Sequence, residues 1–242
     1  MRREHHRWWS ERLGRDMDLL VFGHAGAKLL VFPTRDGRYS EYENIGMIAR
    51  LAPKIEAGQM QVWCLEGLAG ETFYANWMVP PDRIRRFDAY ERYVLDEVMP
   101  LMRRANPHDC TIAHGLSLGA HHAADIAFRH PHLFRKLAAF SGRYDLTRPV
   151  EWFGDLMGGH YEDAVYFHMP NHYLPGLDCD WRLHHLRRMD IVLVIGAEDP
   201  FLDDNLRLSG ILASKTIPHR LEIWDGRAHR GSAWRKMAEI YV

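Results

Sequence analysis

The sequence predicts an α/β protein: a mostly parallel central sheet, antiparallel at its N-terminal end, with helices on both faces. Three observations carry that reading. Short continuous apolar runs recur at residues 28–32, 111–114 and Asp190–Gly196, as expected of strands buried on both faces. Stretches of helical spacing separate them, and repeated strand–helix alternation implies a parallel sheet. The first third instead places two strand-like runs on either side of a tight turn. At 242 residues the chain is long enough for one domain with a full core, so residues 1–242 are expected to form a single unit.

Taken in order, residues 4–9 and 17–22 flank Gly14-Arg15-Asp16, a hairpin signature. Residues 28–32 (Lys-Leu-Leu-Val-Phe) form a strand ended by Pro33. Residues 45–57 have helical spacing, and 61–65 read as a strand. Residues 82–104 read as a long amphipathic helix, with Pro80-Pro81 at its start and Asn106-Pro107 past its end. Residues 111–114 are a strand, 120–129 a helix ending near His130-Pro131, and 136–141 the next strand. Asp190–Gly196 (Asp-Ile-Val-Leu-Val-Ile-Gly) is the clearest buried strand. Residues 202–214 follow as a helix, 220–225 as a last strand and 232–242 as a terminal helix. Residues 142–188 break the rhythm. They carry Trp152, Phe153, Met157, Tyr161, Tyr166, Phe167, Tyr173 and Trp181, and are too long for an ordinary connection. We expect a small lid-like insertion there.

Bulk properties exclude several classes of partner. Hydrophobic content of 47% and charged content of 26% are ordinary for a globular protein. A formal net charge of −1 favours neither nucleic acid nor an anionic membrane. Cys64, Cys110 and Cys179 are odd in number, far apart and form no CxxC, which argues against a disulfide framework. No apolar leader follows the polar start, and no run reaches the length of a membrane span. A cytoplasmic protein is the expectation. The eight Trp residues and the Met-rich stretches would also serve a subunit interface, so a homo-oligomer stays open.

Gly115-Leu116-Ser117-Leu118-Gly119 carries the chemistry. It follows a predicted strand and opens a predicted helix, the context of a nucleophile elbow. The sharp turn thrusts its central residue out of the backbone, and glycines at both ends let strand and helix cross closely. Alone, the pattern arises by chance in roughly one chain in ten of this size. Its weight depends on partners. A serine hydroxyl needs a general base, and the base needs an orienting acid. On an elbow of this type the chain order is Ser, acid, His. Asp190–Gly196 is followed by Ala197-Glu198-Asp199-Pro200-Phe201, where Asp199 is the preferred acid and Glu198, Asp203 and Asp204 are alternatives. Asp203 and Asp204 also suit a helix N-terminus for its dipole alone. The last strand is followed by Gly226-Arg227-Ala228-His229, which places His229 as the base among 16 histidines. The oxyanion donors expected are the backbone N–H of Leu118 and one from the loop after residues 28–32. Pro33 has no N–H to give, so Arg35 is preferred, with Thr34 or Asp36 as alternatives.

With these residues in place the chain resembles the putative-esterase branch of the α/β-hydrolase superfamily, related to esterase D-type S-formylglutathione hydrolases and to mycolyltransferases. The segments that carry the resemblance run nearly the whole length in order. They are Asp18-Leu-Leu-Val-Phe-Gly-His-Ala-Gly26, Val31-Phe-Pro-Thr34, the elbow with Ala120, and Ala139-Phe-Ser-Gly142. Gly196-Ala-Glu-Asp-Pro200 with Asp203-Asp204-Asn205, and Trp224-Asp-Gly-Arg-Ala-His229 through Trp234, complete them. The resemblance implies an α/β-hydrolase fold and hydrolysis of small carboxylic esters through an acyl-serine intermediate, without a cofactor, on Ser117, Asp199 and His229. The chain departs from relatives that carry Cys and Phe around the elbow serine, where it has Leu116 and Leu118. It also has Arg230-Gly231 after the histidine, where relatives tend to have Asp-Trp. Neither change removes a catalytic group; both bear on the pocket.

Three other readings compete. An acyltransferase or thioesterase would use the same residues while excluding water. A non-catalytic binding protein on this fold conflicts with the intact Ser, Asp, His order. A metal hydrolase is prompted by His121-His122, His130-x-His132 and Asp178-x-Asp180 with His184-His185, but none has a recognised zinc spacing, so no metal site is expected.

Overall fold

Eight strands form one sheet in the order β1-β2-β4-β3-β5-β6-β7-β8. We describe residues 1–242 from a computed structural model. The strands are β1 (Arg3–Ser10), β2 (Arg15–Phe22), β3 (Ala27–Phe32), β4 (Met60–Leu65), β5 (Thr111–Leu116), β6 (Lys136–Phe140), β7 (Asp190–Gly196) and β8 (Arg220–Trp224). β1 and β2 are the expected hairpin, turned at Gly14 with φ +62°. β2 also pairs antiparallel with β4; every pairing from β4 to β8 is parallel. This is the α/β-hydrolase architecture that the alternation and the elbow predict.

Alternation along the strands splits the core in two. On β2 and β3, Leu19, Val21, Leu30 and Phe32 face one side; Leu20, Phe22, Leu29 and Val31 face the other. The first side is covered by the helices Pro80–Tyr93, Leu118–Arg129 and Leu202–Ser214, the second by Met47–Glu56 and Gly231–Tyr241. Because both faces are covered, β3 has no polar side, which is why its sequence is a continuous apolar run. Burying one such Leu or Val side chain stabilises the fold by about 1.5–3 kcal/mol.

The structure refines two expectations. The long helix is not uniform: Pro80–Tyr93 passes through a π-helical turn, Val94–Val98, into Met99–Ala105. Pro100 lies just beyond that turn and has no N–H to return to the residue four before it, so the ladder is re-spaced locally. Residues 142–188 divide in two. The stretch from Arg143 to Gly154 borders the cleft described below. The later part forms the short helices Asp163–Phe167, Pro170–Tyr173 and Asp180–Leu186. Val165, Met169, Leu174, Leu183 and Leu186 from this part are buried in the larger core. No helix is long and apolar enough to cross a membrane.

Candidate active site

The parallel register brings the C-terminal ends of β3, β5, β6, β7 and β8 to one edge of the sheet. β5 ends at Leu116 and the next helix starts at Leu118, leaving Ser117 alone in the turn with φ 55° and ψ −120°. A left-handed φ on a residue with a Cβ costs about 1–3 kcal/mol and persists only where the surroundings enforce it. Two hydrogen bonds enforce it here. The Ser117 N–H donates to the Phe140 carbonyl at 2.9 Å, and the Ser117 carbonyl accepts from the Ala120 N–H at 3.0 Å. The glycines are required sterically. A Cβ on Gly115 would strike the Gly119 carbonyl, and one on Gly119 would strike the Phe32 carbonyl. Ser141, after β6, and Ala228, before His229, also have positive φ, at 54° and 52°. Three of the five strained non-glycine residues therefore cluster at this edge.

Asp199 lies in the turn after β7, its N–H donating to the Gly196 carbonyl at 3.1 Å. Its carboxylate is fully buried; Oδ1 accepts the Phe201 N–H at 3.0 Å, and Oδ2 is 2.8 Å from His229 Nδ1. His229 is half-buried after β8, its ring 5.4 Å from Trp234 and 6.0 Å from Phe201 by centroids. With Asp199 ionised, the imidazole proton sits on Nδ1 and Nε2 is left as an acceptor. Ser117 and His229 line the same cleft without a hydrogen bond between their side chains. In ligand-free sites such contacts are often long and tighten once substrate is bound.

The alternative acids behave differently. Glu198 and Asp203 are exposed. Asp204 is buried, but its carboxylate is taken up by the Tyr144 and Asp145 N–H groups and by Asn171 Nδ2 at 2.6 Å. Among the oxyanion candidates, Leu118 is the first residue of its helix, so its N–H has no intrahelical acceptor. The Thr34 N–H is committed to Glu41 Oε2 at 2.8 Å, with the Thr34 hydroxyl on Oε1 at 2.5 Å. The Arg35 and Asp36 N–H groups have no acceptor in the protein.

The histidine-rich stretches do not converge on a metal-like site. His121 and His122 are buried in the helix after the elbow, His130 pairs with Glu91 at 2.7 Å, and His185 packs on Trp181. One grouping, Asp88, Glu91 and His168, has ligand atoms close enough for an ion. The Arg129 guanidinium already occupies it, 2.5 Å from Glu91.

Comparison with known proteins decides the family. The family model described as Putative esterase matches residues 10–232. The chain belongs to that family. Compared with curated protein sequences, this esterase matches none. Among solved structures it is similar to an S-formylglutathione hydrolase from Agrobacterium tumefaciens, with a TM-score of 0.77 and 16% identity over 98% of this chain and 91% of that one. A fluorophosphonate-binding serine hydrolase of Staphylococcus aureus gives 0.75 and 17% over 98% and 95%. A ferulic acid esterase from Anaeromyces mucronatus gives 0.68 and 13% over 99% and 90%. At these identities the likeness is one of fold; the family assignment makes this chain an esterase.

The cleft of the esterase holds about 290 Å³. Besides Ser117, His229, Leu118 and Arg35, its walls include Glu41, Tyr74, Arg143, Trp152, Phe153 and Phe201. Trp152 and Phe153 come from the aromatic insertion. Glu41 and Arg143 are the two charged lining residues that sequence reasoning passes over. For Arg143 a signal existed: it stands two residues past Ser141, just beyond the C-terminal end of a central strand, where α/β proteins bind ligands.

Proposed function

We propose that this esterase hydrolyses small carboxylic esters through an acyl-enzyme on Ser117, with His229 as general base and acid and Asp199 orienting it. Ser117 Oγ attacks the ester carbonyl as His229 Nε2 takes its proton. The tetrahedral oxyanion is held by the N–H groups of Leu118 and Arg35, and His229 then protonates the departing alcohol. Water repeats the sequence in reverse to release the acid. The observation that carries this reading is the 2.8 Å bond from His229 Nδ1 to the buried Asp199 carboxylate, in the cleft that Ser117 lines. The use of the Thr34 N–H by Glu41 supports Arg35 as the second donor. We assign the lid role to the stretch carrying Trp152 and Phe153. Three unpaired thiols fit a reducing, cytoplasmic setting.

The test is hydrolysis of short p-nitrophenyl esters together with fluorophosphonate labelling. Wild-type protein should turn over the ester and label on Ser117. Ser117→Ala should fold, lose labelling and lose activity on the order of 10⁶-fold, as when a serine nucleophile is removed from a comparable constellation. Activity retained in a folded Ser117→Ala protein sinks the mechanism. Added alcohol in the same assay separates transfer from hydrolysis: hydrolysis predicts acid as the main product.

A further inference from the structure

Arg143 is 4% exposed yet lines the cleft that holds Ser117. Its donors are spent almost wholly on one loop. Nε donates to the Asp145 carbonyl at 3.1 Å, and Nη2 lies within reach of the carbonyls of Leu146 (3.2 Å), Arg148 (2.7 Å) and Gly154 (2.9 Å). Nη1 has no partner at all. Nor does the guanidinium have a counter-ion. The nearby carboxylates are committed elsewhere: Asp145 to His172 (2.9 Å) and Arg207 (3.3 Å), Asp204 to backbone N–H groups and Asn171, and Asp155 to the Met157 and Gly159 N–H groups. In the cleft itself, Asp36 pairs with Arg35 at 3.0 Å and Glu41 is held by Thr34. Burial lowers the Arg143 pKa from its usual value, but a guanidinium stays charged under all ordinary conditions. A buried cation with no anion and an unused N–H₂ group is costly to the fold. A carboxylate from a ligand matches it in charge and can accept from the one unused nitrogen, Nη1.

We propose that Arg143 is the substrate-recognition residue of this site and that the ester it serves carries a carboxylate, bound by the guanidinium. The proposal rests on the reading of the cleft as a Ser117 esterase site. Phe201, whose ring lies 5.7 Å from the guanidinium carbon, and the neighbouring Trp152 and Phe153 supply the apolar wall for the carbon skeleton between the reacting carbonyl and the carboxylate.

The experiment compares esters that differ only in that charge: p-nitrophenyl hydrogen adipate against p-nitrophenyl methyl adipate, and the matching suberates. Wild-type protein should prefer the acid in kcat/KM by about ten- to a hundredfold, the worth of a hydrogen bond to a charged group. Equal rates, or preference for the methyl ester in both chain lengths, overturn the proposal. In Arg143→Gln the acid-to-methyl ratio should fall to about one, whatever the absolute rate. A ratio that persists overturns the assignment to Arg143. Because Arg143 also holds its loop, the wild-type comparison decides the matter even if the variant folds poorly. Turnover of the methyl esters with Ser117 labelled, but without acid preference, removes only the Arg143 proposal. No turnover of any ester and no labelling removes the esterase site itself, and this proposal with it.

Discussion

Arg129 and Arg143 lie at opposite ends of the helix Leu118–Arg129, and only the first has its charge neutralised by the chain. Arg129, its last residue, sits among acids: Glu91 at 2.5 Å and Asp125 at 3.8 Å, with His168 joining Asp125 at 2.7 Å. Arg143 packs near the first turn, where its own carbonyl is hydrogen-bonded to His121 at 3.0 Å, and its guanidinium meets only carbonyls. The first centre is closed: the chain supplies both signs of charge, and the cluster ties this helix to Pro80–Tyr93 and to the insertion. The second is open: the chain supplies the cation and leaves its complement to a ligand. A buried charge is therefore framework or receptor according to whether its partner is encoded in the same chain.

The largest effect should come from the open side. Asp199→Asn should cut kcat by about 10⁴-fold on p-nitrophenyl esters, because the amide no longer fixes the Nδ1-protonated tautomer of His229. Stability should change far less than rate, which denaturant unfolding of the purified variant would show. A loss of only a few-fold in kcat would mean that His229 is oriented by something other than Asp199.

The closed side should show the reverse. Asp125→Asn leaves Arg129 and His168 with one carboxylate fewer in a buried cluster, and removing one partner of a buried pair typically costs about 3–5 kcal/mol. The expected outcome is a large drop in the urea midpoint, with near-normal kcat in the protein that remains folded. If kcat collapsed while stability held, the closed centre would belong to the chemistry and the comparison would break.

The same contrast governs what the sequence could reveal. Strands β3, β5 and β7 were legible because burial on both faces leaves an unbroken apolar run. Ser117, Asp199 and His229 stood out because each follows a strand end at a fixed place in chain order, a local feature with a global consequence. Glu41 gave no such signal, and Arg143, though it stands just past the end of β6, belongs to no motif with a fixed chain order. Their importance comes from which groups fail, or manage, to meet them in three dimensions. Thr34 stands as an alternative to the preferred Arg35 in the sequence; only the structure shows that Glu41, seven residues away, holds its N–H. The π-helical turn at Val94–Val98 and the short helices of the insertion were hidden for a related reason: tertiary packing, not local preference, sets them.

The smallest expected effect uses pH to separate the two sides again. His114, His121 and His122 are fully buried, and burial pushes their pKa values down to about 4, about 4 and about 3. In the unfolded chain a histidine titrates near 6.5. Below about pH 6.5 the unfolded chain therefore binds protons that these three folded rings refuse. Their contribution to stability is present above that pH and is lost as pH falls towards about 4. His168 has the opposite sign. Burial opposes its protonation, but Asp125 and Asp88 hold its pKa above the usual value. Its contribution is present below about pH 6.5 and is lost as pH rises through the raised folded value. His122 is the cleanest probe. Neither ring nitrogen has a partner, and Phe73, Phe87 and Tyr90 surround it. His122→Phe deletes one refused proton and replaces an unpaired polar ring with an apolar one of similar shape. Relative to wild type, its advantage in unfolding free energy should grow by about 1.4 kcal/mol for each pH unit below about 6.5. Urea titrations at several pH values measure this directly. A constant offset between the two proteins, with no growth towards acid, would mean that His122 takes up its proton in the folded state.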